Sequence, residues 1–371
     1  MKPVAVIFHG GIGGGAVADM VADCQLAIAG DTIDRIQQTG AFDDIILITE
    51  RNVNMPNVTI ERSRRPFHFG AELKRAIERH RIAAPVYIGS GSVPLLKTGG
   101  LKSIGETIAS RRDTVITNNT FSSDMVAFTP GTSIGKIELP PTDNRLAQAL
   151  ISQAGLRPIT LPRTASHQFD VDTPTDLAIL KLHRGAGKNS RRYLESIDID
   201  TTRLQRAIDM FNDINAQVTV AGRVGSHVWS QLERKTSCRV RLLAEERSLN
   251  ADERSRRGEV CTILGFYLEQ VGMDRFFQTL AQMGHAAFID TRVIFTHFRL
   301  NPSIDDRFYS DLGQYQKIRD SFVREFTRQA VEAPMPVILG GHSLVSGGML
   351  AMIEIARHRN RQAVDTERMV K

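Results

Sequence analysis

The chain has 371 residues, 42% of them hydrophobic and 24% charged. At roughly 150 residues per domain this predicts two domains, and the composition excludes a disordered, collagen-like or low-complexity protein. The net charge of +6 suits anionic ligands such as phosphates and nucleotides, while the scattered basic residues form no nucleic-acid stripe, so no nucleic acid is expected.

Cys24, Cys238 and Cys261 include no C-x-x-C pair, which excludes a disulfide framework and a cysteine-built zinc site. No apolar run approaches the ~20 residues of a membrane span. Met1-Lys2-Pro3 leads straight into a strand-like run, without a signal-peptide pattern. A cytoplasmic protein with no membrane partner is expected. The oligomeric state is left open.

Strand and helix signals alternate through the first half. Pro3–Phe8 is a β-branched apolar run, followed by the glycine run His9–Gly15 and a helical stretch. Asp44–Thr49 is the next strand, and Phe69–His80 a helix with Leu73, Ala76 and Ile77 on one face. Pro85–Ile88, Thr114–Thr117 and Met125–Phe128 are further strands, with a helix over Leu101–Ala109. Such alternation means an α/β sheet, largely parallel. The polar stretch His183–Arg192 is the predicted linker. Beyond it come a helix at Leu204–Asn212, a strand at Gln217–Ala221, a helix at His227–Arg234 and a strand at Arg239–Ala244. Glu259–Met283 has a helical pattern broken near Gly272, and Ala286–Phe295 is strand-like in part. Helices at Ile318–Ala330 and Leu344–Arg357 flank a strand at Pro336–Leu339, and the polar tail from His358 is expected to fray. The predicted fold class is therefore α/β with two domains, residues 1–184 and 185–371, the second Rossmann-like.

Four segments of the first domain carry a resemblance. They are Phe69–Ile77 (FGAELKRAI), Pro85–Leu96 (PVYIGSGSVPLL), Asp113–Pro130 (DTVITNNTFSSDMVAFTP) and Phe169–Leu177 (FDVDTPTDL). Over residues 1–180 the chain resembles nucleotidyltransferases of the GT-A fold, in particular the 2-phospho-L-lactate and molybdenum-cofactor guanylyltransferases. The resemblance implies a nucleotide at the carboxyl ends of parallel strands and Mg²⁺ held by carboxylates. It assigns nucleotide contacts to His9, Gly10, Gly11, Gly13 and Gly14 in the first loop, and to Gly70 and Ser92. Backbone N–H groups of such a loop cradle phosphates.

Two departures from the family pattern stand out. No Arg or Lys lies between Phe8 and Ala29, where the family pattern has both. Ser92 takes the place of the metal-holding Asp, and a hydroxyl is a poorer Mg²⁺ ligand than a carboxylate. Asp124 is then the replacement carboxylate, joined by Asp170, and these two are the expected catalytic and metal-holding residues. Asp124 also suits a turn cap, and Asp172 or Thr173 suits the cap of a helix with Pro174 in its first turn. His167 reads as a solvated loop histidine, with reach to a phosphate or base as the alternative.

In the second domain four loops follow predicted strands: Gly222–Ser226, Glu245–Arg247, the surroundings of Asp290 to His297, and Gly340–Ser343. Gly222, Gly225, Gly341 and His342 are candidate anion-binding positions at two helix starts. Arg223, Arg247 and Arg292 are candidate clamps for a phosphate or carboxylate. Asp290, His297 and His342, with Glu245, are a candidate metal set without a recognised spacing. Packing roles stay open for Gly222 and Gly225, and a local ion pair with Arg292 for Asp290.

The predicted function is Mg²⁺-dependent transfer of a nucleotidyl group from a nucleoside triphosphate to a small phosphorylated acceptor. The alternatives are a glycosyltransferase of the same fold, with Asp170-Val171-Asp172 as its metal motif, and a degenerate module that binds nucleotide without catalysis.

Overall fold

A computed structural model describes residues 2–11, 13–246 and 259–370, with side chains described through residue 360. Arg247, one of the candidate clamps, lies outside the described residues, as does Ile12 of the glycine run. The chain divides into two compact units. Unit 1 comprises Met1–Ile12, Ala22–Asp170 and Gly187–Tyr193, and unit 2 comprises Gly13–Val21, Val171–Ala186 and Leu194–Lys371. Each unit draws segments from both sides of residue 184.

The elements follow in chain order: β1 (Val4–His9), α1 (Ala16–Thr39), β2 (Asp44–Thr49), β3 (Thr59–Glu61), α2 (Phe69–Arg79), β4 (Pro85–Gly89) and α3 (Thr98–Ser110). Next are β5 (Thr114–Thr117), β6 (Met125–Thr129), α4 (Leu146–Ser152), β7 (Arg157–Thr160) and α5 (Ala165–Gln168). Together β1–β7 form one sheet in the order β3-β2-β1-β4-β6-β5-β7. Only β6 runs antiparallel to its neighbours, pairing Tyr87 with Val126 on one side and Ile116 with Ala127 on the other.

Both faces of this sheet are covered. Successive β1 side chains point to opposite faces. Val6 and Phe8 pack with Leu73, Ala76 and Ile77 of α2 and Leu146 and Leu150 of α4. Ala5 and Ile7 pack with Ile33 and Ile36 of α1 and Ile104 and Ile108 of α3. Two-sided burial explains why these strands read as unbroken apolar runs.

The remaining elements are α6 (Pro174–Leu182), α7 (Lys188–Ser196), α8 (Thr202–Asp209), β8 (Gln217–Gly222), α9 (Ser226–Lys235), β9 (Arg239–Ala244) and α10 (Ile263–Met283). They continue with β10 (Ala286–Asp290), α11 (Thr291–His297), α12 (Ile304–Asp311), α13 (Ser321–Glu332), β11 (Val337–Gly340) and α14 (Gly347–Val370). Strands β8–β11 make a four-stranded sheet ordered β11-β10-β8-β9, and every pairing in it is parallel. After β9 the chain crosses to the far side of β8. The carboxyl ends of β8 and β10 therefore flank a topological switch point, the usual place for a ligand crevice.

Several elements depart from the sequence expectation. Residues 183–192 are not a plain linker, because α7 begins at Lys188. Its first turn is anchored by Asp31, whose carboxylate accepts from the Asn189 and Ser190 N–H groups at 2.7 and 3.0 Å. The short edge strands β3 and β7 were not predicted; β7 is mostly exposed, so it lacks an apolar signature. The Ala286–Phe295 run divides at Asp290 into β10 and α11. Instead of fraying at His358, α14 continues to Val370. The expected break at Gly272 is present as a residue with φ 73° inside α10.

Candidate functional site

The carboxyl edge of the seven-stranded sheet gathers polar groups at the ends of β1 and β4. His9, the last residue of β1, is 2% exposed, and its Nδ1 lies 3.1 Å from the Ser90 Oγ. Burial, reinforced by the nearby Arg51, lowers the His9 pKa to about 4, with Asp23 opposing. The imidazole is therefore neutral at neutral pH. Its Nε2 is buried without a hydrogen-bond partner.

Just beyond β4 the chain turns back through Val93, a β-branched residue at φ 46°. That conformation is rare for such a side chain and persists only where surroundings enforce it. Two hydrogen-bonded connections supply that enforcement. The Val93 N–H donates to the Phe169 carbonyl at 3.2 Å, and Ser92 forms an isolated antiparallel bridge with Asp170. Asp124 reaches the same edge from the start of β6, its carbonyl accepting from the Gly89 N–H at 3.0 Å.

Asn118 orients Asp124. Its Oδ1 accepts from the Asp124 and Met125 N–H groups, both at 3.2 Å. Its Nδ2 donates to the Asp124 Oδ2 at 3.3 Å and to the His167 carbonyl at 3.1 Å. Asp124, Asp170 and Ser92 thus stand together around the end of β4. Burial, followed by the hydrogen-bonded Asp143 and then by Asp124 and Asp170, pushes the Tyr87 hydroxyl pKa upward.

Two carboxylates suit Mg²⁺, which takes one or two and completes its shell with water and substrate phosphates. Among the described residues no group of three or more His, Cys, Asp or Glu side chains is poised to hold a metal. This bears equally on Asp290, His297, His342 and Glu245. Glu245 instead accepts a hydrogen bond from the Thr262 hydroxyl, and the His297 Nδ1 accepts from the Thr262 N–H at 3.2 Å.

The glycine run divides into two parts. A Cβ added at Gly10, Gly11 or Gly13 would meet nothing within 4 Å, so these backbones are open to an approaching ligand. At the start of α1 the Gly15 N–H donates to both carboxylate oxygens of Asp305, at 2.8 and 3.0 Å. A Cβ on Gly15 would lie 2.8 Å from Asp305 Oδ2, and one on Gly14 3.0 Å from Oδ1. A carboxylate of the protein already occupies the anion position there.

Gly70 lies in α2, where its N–H donates to the Pro140 carbonyl at 2.9 Å and a Cβ would come equally close to that oxygen. Its position serves close packing against Leu139 and Pro140. His167 makes local contacts at 2.9 Å to Thr164 and 3.2 Å to Ser166. The α6 cap is Thr173: Asp176 Oδ2 accepts from its N–H at 2.9 Å and its hydroxyl at 2.8 Å.

At the carboxyl edge of the four-stranded sheet the candidate arginines already have partners. Arg223 follows β8 and donates from Nε to Asp290 Oδ2 at 2.6 Å and from Nη2 to Oδ1 at 3.1 Å. This pair spans the switch point between β8 and β10. Gly222 makes room for it: φ is +129°, and a Cβ would lie 2.4 Å from the Asp290 Cβ. Burial opposes the Asp290 charge, yet Arg223 holds its pKa below the ordinary value. Arg292 pairs with Asp311, not with Asp290, through Nη1 to Oδ1 at 3.0 Å and Nη2 to Oδ2 at 2.7 Å. Neither arginine is a free clamp.

Gly225 caps α9. Gly341 lies beside Thr173 and Arg292, and His342 is close enough to Asp290 to favour its charge. Asp176 is fully buried and its Oδ1 has no hydrogen-bond partner. Burial, then the Asp172 charge, raises its pKa to about 7. Asn118 and Asp311 were not singled out in the sequence, and Asp176 reads there only as a residue of a helix N-terminus, because each looks like an ordinary turn or helix-surface residue until the fold buries it.

No protein-family model matches the chain, and no curated protein matches it in sequence. Solved structures resemble about half of it. A cytidylyltransferase from Leptospira borgpetersenii is 14% identical, over 54% of this chain and 100% of its own, at TM-score 0.39. A candidate nucleotide-diphospho-sugar transferase from Desulfovibrio desulfuricans is 14% identical, over 53% and 98%, at 0.38. A 4-diphosphocytidyl-2C-methyl-D-erythritol synthase is 13% identical, over 49% and 97%, at 0.36. Among the described residues no helix is long and apolar enough to cross a membrane.

Proposed function

We propose that unit 1 is a nucleotidyltransferase acting on a nucleoside triphosphate and a small phosphorylated acceptor, and that unit 2 is a Rossmann-like partner. The observation that carries this reading is the Ser92–Asp170 bridge beside Asp124, which assembles two carboxylates at the end of a parallel strand. Asp124 and Asp170 would hold Mg²⁺, which supplies neutralisation of the triphosphate charge. The open backbones of Gly10 and Gly11 accommodate phosphate oxygens. An acceptor phosphate oxygen attacks the α-phosphorus, the bond to the bridging oxygen breaks, and pyrophosphate leaves. Neutral His9, hydrogen-bonded to Ser90, adds no positive charge at this edge. The parallel order and switch point of the four-stranded sheet support the reading of unit 2.

The likeness to guanylyltransferases makes GTP the first nucleotide to test, followed by CTP. The experiment is nucleotide binding by calorimetry with and without Mg²⁺, followed by pyrophosphate release across a panel of phosphorylated acceptors. Metal-dependent binding and release are expected. Binding without release from any acceptor favours the non-catalytic module, and no binding at millimolar nucleotide rejects both.

A further inference from the structure

In unit 1 the positive charge of the carboxyl edge lies outside the first loop. No Arg or Lys lies between Phe8 and Ala29, so the glycine run brings no cation of its own to a triphosphate. Residues 62–67 read Arg-Ser-Arg-Arg-Pro-Phe and follow β3 directly. The parallel registers set Glu61 beside Ile48, and Ile48 beside Phe8. Arg62 therefore leaves the sheet level with Thr49 and His9, two strand spacings or about 10 Å from the end of β1.

Two contacts hold this segment at the strand ends. Glu50, just beyond β2, accepts from the Ser63 hydroxyl at 3.4 Å and from the Arg65 Nε at 3.1 Å. The Phe67 ring meets Phe8 edge-on, with centroids 6.3 Å apart, although Phe67 is 52% exposed. Arg65 is thus committed to Glu50, as Arg51 is to Asp23. Arg62 and Arg64 are exposed, and neither enters an ion pair among the described residues. Side chains alternate along an extended segment, so these two share the side opposite the one on which Ser63 and Arg65 meet Glu50. A bound Mg²⁺ answers only part of the charge of a triphosphate. The guanidinium fork matches the geometry of phosphate oxygens, and two such groups without a carboxylate of their own can supply the remainder.

We propose that Arg62 and Arg64 are the phosphate-binding cations of the unit 1 site, an arm that takes the polyphosphate chain of the nucleotide in place of a basic first loop. This rests on the reading of unit 1 as a nucleotidyltransferase and adds which side chains meet the phosphates of its substrate. Phe67 is a positioning residue that fixes the arm beside β1.

The test is calorimetry of the full chain with GTP and with inorganic tripolyphosphate, each with Mg²⁺, at low and high salt. The double variant Arg62→Gln with Arg64→Gln should weaken both ligands by about tenfold or more, as for loss of charge-assisted hydrogen bonds. Its affinity should also depend less on salt, because fewer charges are screened. Its Tm should hold to within about 1 °C, since both side chains are exposed. Arg111→Gln, an exposed arginine just before β5 and so at the opposite edge of the sheet, should bind as the wild type does. GTP binding that is equal in the wild type and the double variant would overturn the arm and leave the nucleotidyltransferase reading standing. A wild type that binds no nucleotide at millimolar concentration would overturn both. Tripolyphosphate that binds both proteins equally, or neither, would overturn the phosphate assignment. An equal loss in Arg111→Gln, or a loss of affinity accompanied by a fall in Tm of several degrees, would also overturn a direct role for the two arginines.

Discussion

The carboxyl edges of the two sheets are built from different electrostatics. In unit 1 a neutral histidine faces a serine, and an asparagine side chain orients Asp124. In unit 2 full charges are buried and matched, Arg223 to Asp290 and Arg292 to Asp311. The first edge sets the Asp124 and Asp170 carboxylates at the same strand ends as a neutral imidazole, which feels the charge of Arg51. The second has already compensated its own charges, save at Arg307. The difference shows that equivalent positions on parallel sheets do not imply equivalent chemistry. What matters is which side chains the neighbouring segments bring to the strand ends.

The largest effect should come from breaking a matched pair in unit 2. Arg292→Ala strips the buried Asp311 of both side-chain hydrogen bonds and leaves it only the weaker attraction of Arg307, and should cost about 3–5 kcal/mol in urea unfolding. Replacing both by apolar residues of similar volume should recover most of that loss. If Arg292→Ala alone costs under ~1 kcal/mol, the buried pairs do not distinguish the two edges.

Asp170→Asn tests the other side of the comparison. Turnover with Mg²⁺ should fall by about 10²–10³-fold, as for loss of a strong electrostatic contact at a transition state. Tm should hold to within about 1 °C. Retained turnover would remove the carboxylate pair from catalysis.

Glycines sharpen the contrast. Gly222→Ala should destabilise unit 2 by roughly 1–3 kcal/mol, because its backbone is left-handed and the added Cβ meets Asp290. Gly11→Val, with open space around it, should leave the melting temperature in place. It should weaken nucleotide binding about tenfold, or ~1.4 kcal/mol. Equal effects of the two substitutions on stability would contradict the open first loop.

The two edges also differ in their response to pH. The folded His9 accepts a proton only near pH 4, whereas the unfolded chain does so near 6.5. Its contribution to stability is therefore full above 6.5 and is lost as pH falls toward 4. Asp176 has the opposite sign. Folded, it holds its proton to about pH 7, while unfolded it releases it near 3.8. Its contribution is full below 3.8 and is lost as pH rises through 7. Urea midpoints measured from pH 4 to 8 should lose the first slope in His9→Gln and the second in Asp176→Asn.

Much of the fold was legible in the sequence. Apolar β-branched runs such as Val4–His9 and Asp44–Thr49 are strands because both faces of the sheet are covered. Phe69–Arg79 is a helix because Leu73, Ala76 and Ile77 recur at its period. Local chemistry alone therefore determined most elements. It did not mark β3 and β7, whose short polar segments gain their structure from a neighbouring strand.

The candidate sites divide in the same way. The positions of Asp124, Asp170, Gly222 and His342 next to predicted elements were visible, since each follows a run or precedes a helix. Their partners were not. That Asp170 meets Ser92, that Asn118 holds Asp124, and that Arg292 chooses Asp311 over its neighbour Asp290 are long-range choices. A one-dimensional pattern reports which face a residue takes, because that depends on local period. It cannot report which distant carboxylate reaches a guanidinium, because that depends on how whole elements pack. Only the tertiary structure decided that Arg223 and Arg292 are satisfied and that Arg307 is left without a hydrogen-bond partner at its Nε.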